Sequence, residues 1–301
     1  MLRVKIIVLL LIFFISNTFA SKVEIIAKVD EKIITNVDVV NEIKYLNFLN
    51  PKLLKIDDKN KINEIAKSSL IREIIKENEL KKIIKNNNDE NLLNDIENNF
   101  LARKGYKNKS QFIKNLKSNN LDYEFVVQKL KIEALWNQLI FQKFRNQVKI
   151  NNEYLKKKIE NFIKNKERKF EFYLYEILFD VEKVNDLDKE YNKIISTINK
   201  ENFNIAANEH SISNSSKFGG EIGWVKETQL SNDIFNIVKN LNTNEISKPF
   251  RTPGGYLILM FDKKKDLEEL FDKKKELENL KKYERNRQLN QYSLIYYKRL
   301  K

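Results

Sequence analysis

Few side chains in this 301-residue chain are equipped for chemistry beyond hydrogen bonding and charge pairing. There is no cysteine and a single histidine, His210. Disulfides, thiolate nucleophiles, cysteine zinc sites, Cys-ligated iron–sulfur clusters and any site needing two imidazoles are therefore excluded. No zinc spacing and no glycine-rich phosphate loop occurs either, so neither a metal nor a cofactor is expected. His210 ends a helical stretch ahead of a polar loop and reads as a surface or cap residue, not a catalyst. Glu176 is a carboxylate on a strand face otherwise made of Phe172, Leu174 and Leu178. It reads either as an edge residue reaching solvent or as a polar group lining a cleft. Gly219, Gly220, Gly223, Gly254 and Gly255 crowd into one stretch with Pro249 and Pro253, as a backbone that turns sharply or is closely approached requires.

The elements that must position these residues follow from periodicity. From Lys61 to about Lys166 apolar residues recur at steps of three and four, as in Ile62, Ile65, Ala66 and again in Leu135, Trp136, Leu139, Ile140. That is helical, with breaks at Asn86-Asn87-Asn88 and Gly105. Val23 to Thr35 reads as an extended arm turning at Asp30-Glu31-Lys32. From Lys169 the period becomes two. A helix with Ile194 and Ile198 follows, then a shorter one with Phe203, Ala206 and Ala207, the polar loop Ser211 to Lys217, and a short helix with Ile234 and Val238. Ile246 to Thr252 and Tyr256 to Phe261 read as strands. Thr252-Pro253-Gly254-Gly255 joins them, with Pro setting φ and Gly254 supplying the positive φ of the next turn position. Lys263 to Lys301 reads as a helix whose stripe of Leu267, Leu270, Phe271, Leu277 and Leu280 needs burial, best met by the N-terminal helices.

Hydrophobic residues at 42% and aromatics at 11% argue for a folded chain, while 33% charged residues and a mean hydropathy of -0.55 argue against several membrane spans. The net charge of +14 is interspersed with acids throughout, so it reads as solvated helix faces and no nucleic-acid partner is expected. Arg3 and Lys5, the apolar run Ile6 to Ile15 and the small residues Thr18 and Ala20 form a secretory signal peptide pattern, with cleavage after Ala20. The run is too short to span a bilayer, so no stable anchor remains after cleavage. The mature chain, at +12 from +14, would then work outside the cytoplasm and without ATP.

Two motifs carry a resemblance. Ser211 to Trp224, SISNSSKFGGEIGW, followed by Asn244-Glu245-Ile246-Ser247-Lys248-Pro249-Phe250 and Gly254-Gly255-Tyr256-Leu257-Ile258-Leu259, resembles the parvulin-type (rotamase) peptidyl-prolyl isomerase domain. Ile26 to Val39, IAKVDEKIITNVDV, is similar to the opening of the SurA family of periplasmic chaperones. The resemblance implies an α+β protein in which a C-terminal helix completes a helical N-terminal chaperone domain and one parvulin-like antiparallel-sheet domain is inserted. The boundaries would be a signal peptide at 1–20, the helical domain at 21–168, the parvulin-like domain at 169–264 and the C-terminal helix at 265–301. It also implies a periplasmic location and unfolded polypeptide clients, outer-membrane β-barrel proteins foremost.

Active parvulins line the proline pocket with two histidines and a Cys or Asp. By resemblance those positions fall on Glu176, Leu257 and Ser213, so none of the three polar groups is kept and isomerase activity is expected to be weak or lost. Leu230 and Phe235 stand where the family presents apolar residues to proline, and Trp224 would pack beneath the sheet. Clients are expected in a groove of the helical domain near Phe100, Phe112, Phe125, Trp136 and Phe141.

Overall fold

The computed structural model describes residues 22–83, 90–164, 170–181, 183–267 and 272–301. The signal segment 1–20, the Asn86-Asn87-Asn88 break, the domain start at Lys169, and Leu270 and Phe271 of the tail stripe lie outside the described residues.

The N-terminal arm is a hairpin of β1 (Ile25–Val29) and β2 (Lys32–Thr35), turning at Asp30 with φ 51°, a conformation Asp tolerates. Helix α1 (Asn36–Leu49) starts directly after it, a helix the hydrophobic spacing did not single out. Its signal is a capping box: Thr35 Oγ1 accepts from Asp38 N at 3.2 Å and Asp38 Oδ2 accepts from Thr35 N at 2.8 Å. Helices α2 (Lys59–Ile83), α3 (Glu90–Lys104), α4 (Lys109–Ser118), α5 (Tyr123–Phe144) and α6 (Asn152–Lys164) follow. Gly105, φ 75°, ends α3 in the left-handed conformation that suits glycine after a helix.

Phe100 and Phe112 sit in one core with Tyr45 and Leu116, and Trp136 is fully buried in another. Phe125 is half-buried, and of the five aromatic residues expected to line a client groove only Phe141, 42% accessible, is exposed. Phe100, Phe112 and Trp136 are core and do not line a groove, because α1, α3, α4 and the last helix each present an apolar face that these rings fill. That last helix, α10 (Lys273–Leu300), closes the helical core. Trp136 Nε1 donates to Ser293 Oγ at 2.8 Å, Phe144 stacks on Tyr292 at 4.9 Å between centroids, and Leu277 and Leu280 meet Leu155 and Ile159 of α6.

The sheet consists of β3 (Phe170–Phe179), β4 (Glu221–Lys226), β5 (Phe250–Thr252) and β6 (Gly255–Asp266), all antiparallel in the order β4-β3-β6-β5. Helices α7 (Leu187–Lys200) and α8 (Phe203–His210) bury one face through Ile177, Phe179 and Ile258. On the other face Phe172, Leu174, Leu178, Leu257 and Leu259 pack with α9 (Asn232–Val238) and with Leu294 of α10. The architecture is thus α+β, helices joined to a parvulin-like antiparallel sheet unit. Among the described residues no helix is long and apolar enough to cross a membrane.

Four local expectations are corrected. The strand expected from Ile246 is only Phe250–Thr252, with Ile246 making an isolated bridge to Met260. The tail does not turn helical at Lys263, because β6 runs on to pair Asp266 with Phe170; the helix begins at Lys273, after an Asp272 cap, and leaves Leu267 outside. The positive φ of the turn falls on Gly255 (139°) and not Gly254, since a Cβ there would stand 2.4 Å from Phe179 O. Trp224 is 40% exposed: it lies on the edge strand β4, beyond the helices that cover β3 and β6, edge-on to Tyr173 at 5.2 Å with Lys265 over its ring at 4.5 Å.

Candidate functional site

The site is built outward from Glu176. Its N–H donates to Gly220 O at 2.8 Å, and its own carbonyl lies 2.4 Å from where a Cβ on Gly220 would stand. With φ 79° as well, position 220 admits only glycine without strain, and that close approach sets the polar loop against β3. Two hydroxyls of the loop then reach the carboxylate: Ser213 Oγ donates to Glu176 Oε1 at 2.5 Å and Ser215 Oγ to the same oxygen at 2.9 Å. The loop is held from the helical side, where Arg72 of α2 donates to Ser211 O at 3.2 Å and Ser216 Oγ at 3.0 Å.

Glu176 and Ser213 border a cleft of about 460 Å³ between the sheet and α10, with Ser215 behind them, a size suited to a small ligand or a few residues of peptide. Leu174, Leu178, Leu257 and Leu259 are among its floor, Leu230 and Ile234 one side, and Tyr283, Asn290 and Leu294 of α10 the facing wall. The structure thus brings Glu176, Ser213, Leu230 and Leu257 together in one cleft, and Glu176 lines it on the same face as Leu174 and Leu178. Leu257, 8% exposed, contributes apolar floor where the resemblance puts an imidazole. Phe235 is not in this cleft. It packs on Phe172 at 6.2 Å and borders a separate hollow of about 110 Å³ with Phe170 and Phe261. The cause is helical phase: Ile234 faces the cleft, so its neighbour, about 100° further round α9, faces away. His210 is also elsewhere, its Nε2 2.9 Å from Thr197 Oγ1 between α8 and α7; burial pulls its pKa below the usual imidazole value.

Sequence reasoning missed Ser215, whose signal was its place two residues after Ser213, and Arg72. It also missed the contribution of α10, for which no local signal exists. Tyr283 of that helix faces Glu176 closely enough to feel its charge: burial pushes the phenol up, Arg287 offsets part of this and Glu176 adds to it.

Behind the loop lies a buried charge cluster. Glu133 of α5 pairs through one oxygen with Lys217 of the loop at 2.8 Å and through the other with Lys76 of α2 at 2.7 Å. Burial pushes the Glu133 carboxyl up, but the two ammonium groups outweigh it and hold the pKa well below the usual carboxylate range. Burial pulls Lys217 down and Glu133 more than reverses this; for Lys76 burial wins and the pKa falls.

With this geometry in place the class can be stated. Residues 177–263, which hold most of the sheet and its covering helices, match the family model of the PPIC-type PPIASE domain, the rotamase family. The chain is similar to the chaperone SurA of Pseudomonas putida, 22% identical over 172 residues, and to SurA of Pseudomonas aeruginosa, 40% identical over 47 residues. These matches cover 55% and 16% of this chain, and the chain spans only 40% and 11% of the two relatives. Among solved structures it is similar to one described with PEB4 and the periplasmic protein Cj1289, two structurally related SurA-like chaperones of Campylobacter jejuni. That match has 18% identity, covers 90% of this chain and 93% of the other, and has a TM-score of 0.33.

Proposed function

We propose that this chain is an exported, periplasmic SurA-like chaperone that holds unfolded outer-membrane protein segments, and that its rotamase domain grips proline-bearing peptide with little turnover. The observation that carries this reading is the cleft itself: an apolar floor that includes Leu257, with Glu176 at its border, the two residues that by resemblance stand at the family's imidazole positions. Rotation about an X–Pro bond faces a barrier of roughly 18–20 kcal/mol, which polar groups around the amide must help lower. Leucine can hold the ring but cannot assist that rotation. A holding protein without ATP must also release its client, which favours modest affinity spread over an apolar surface.

A second reading, a working isomerase, is favoured by one observation, the Ser213–Glu176–Ser215 cluster at the edge of the cleft. One sample separates the two: suppression of aggregation of an unfolded outer-membrane β-barrel protein, with proline isomerisation of a test peptide measured alongside. Suppression with turnover far below an intact parvulin, raised by Leu257→His together with Glu176→His, is the expected result. Turnover equal to an intact parvulin in the unaltered chain establishes the second reading instead.

A further inference from the structure

The cleft has two walls from distant parts of the chain, and the second wall is polar where the first is apolar. Tyr283, Asn286, Arg287, Asn290, Gln291 and Leu294 recur at steps of three and four along α10 and so form one helix face, and all six line the cleft. Arg287 is occupied, its guanidinium on Glu284 at 2.6 and 2.9 Å. The side-chain amides of Asn286, Asn290 and Gln291 make no hydrogen bond to any described residue; Asn286 and Asn290 are exposed and Gln291 is partly so. They face an open slot with donors and acceptors unused.

The wall is held at both ends. Near its start Glu276 accepts from Thr228 Oγ1 at 2.6 Å and Lys226 Nζ at 3.1 Å, both in the sheet unit. Near its end Ser293 meets Trp136, Tyr296 meets Glu79, and Lys298 meets Asp180 and Gly254 O. A helix pinned at both ends, to the sheet unit and to α2 and α5, is a fixed wall and not a lid. The cleft stays open at about 460 Å³ with the helix docked.

We infer that α10 is the second half of the peptide site: the amides of Asn286, Asn290 and Gln291 hydrogen-bond the main chain of an extended client segment whose apolar side chain rests on the leucine floor, and Leu294 limits the size of that side chain. This rests on the reading of the cleft as a peptide site. The spacing supports it. Positions four apart on a helix rise about 6 Å, and alternate residues of an extended strand, whose peptide groups point the same way, are roughly 6.6–6.8 Å apart. Asn286 and Asn290 can therefore address two successive like-facing peptide groups. A side-chain amide carries the same donor and acceptor as the backbone and so matches an extended chain whatever its sequence. Leu294 lies against Leu178 and Gly254 at one end of the floor, with its Cδ1 3.3 Å from where a Cβ on Gly254 would stand.

The test uses the full-length chain and a fluorescein-labelled peptide of nine residues, alternating serine and phenylalanine around one central proline, read by anisotropy. Asn290→Ala with Gln291→Ala should weaken binding about five- to tenfold, with an unchanged melting temperature because these side chains hold nothing in the free protein. Leu294→Ala should shift preference toward a peptide carrying tryptophan beside the proline. Wild-type binding that neither variant alters overturns this inference alone. Tighter binding in the amide variant also overturns it, since it would make α10 an obstruction. Absence of peptide binding by the wild-type chain overturns the reading of the cleft and this inference with it.

Discussion

Glu133→Gln should separate the loop that carries Ser213 and Ser215 from the helices behind it. The substitution keeps shape and removes the one carboxylate that Lys76 and Lys217 share, two ammonium groups whose side chains are 3% and 10% exposed. Removing one partner of a buried charge pair costs about 3–5 kcal/mol. Glu133 retains 27% exposure and Lys76 lies over the Trp136 ring at 5.7 Å, so the lower end, about 3 kcal/mol, is the expected loss. For a chain of this size that is a fall of roughly 6–12 °C in melting temperature. The assay is thermal unfolding followed by circular dichroism at low and high salt. A buried pair is screened little, so the loss should be nearly the same in both. In a double-substitution cycle Lys217→Met should recover part of it, because one of the stranded charges goes with it. A shift under about 2 °C for Glu133→Gln, or one that vanishes in high salt, would refute the assignment of this cluster as a buried connection between helices and loop.

Because the Glu133 pKa is depressed by folding, its contribution is present above the unfolded carboxylate value of about 4.3 and lost as pH falls through the folded value; melting temperature should drop on acidification below that pH, and less steeply in Glu133→Gln. Gly220→Ala should destabilise by about 2–4 kcal/mol, since the new Cβ meets Glu176 O and the residue keeps a positive φ; urea unfolding measures it, and a cost under about 0.5 kcal/mol would contradict the close approach of loop and strand. The chain has two tryptophans, of which Trp136 is buried and Trp224 is 40% exposed; acrylamide should quench only part of the emission, and Trp224→Phe should leave the unquenchable part.

The sheet unit was legible where a simple period governs. Phe172, Leu174, Glu176 and Leu178 alternate, and the structure sets them on one face with Glu176 at the cleft. The glycines announced close approach, and Gly220 beside the Glu176 carbonyl is that approach. Phase within a short element was not legible: on the seven-residue α9, choosing between Ile234 and Phe235 for the cleft is a matter of one residue's rotation. Trp224 failed for a different reason, because strand order decides burial and β4 proved to be an edge. Lys263 to Asp266 read as the start of the helix whose apolar stripe follows them, yet β3 is long enough to hold them in strand pairing. The helical wall of the cleft lies far along the chain from the strands it faces, and only the packed structure brings them together. The start of α1 was written plainly in Thr35 and Asp38, a local signal that the hydrophobic spacing alone passes over.

The bond between Trp136 and Ser293 joins residues 157 positions apart. At about 5–20 residues per second, a nascent chain spends roughly 8–30 s with α5 made and α10 still to come. Through that interval the surface around Trp136, Leu139 and Ile140 has α2 against it through Leu80 but lacks the cover of α10, while the intervening sheet unit is being made. Each copy therefore passes through a stage in which it carries uncovered aromatic surface of its own, and a chain cut short before Lys273 would stay there.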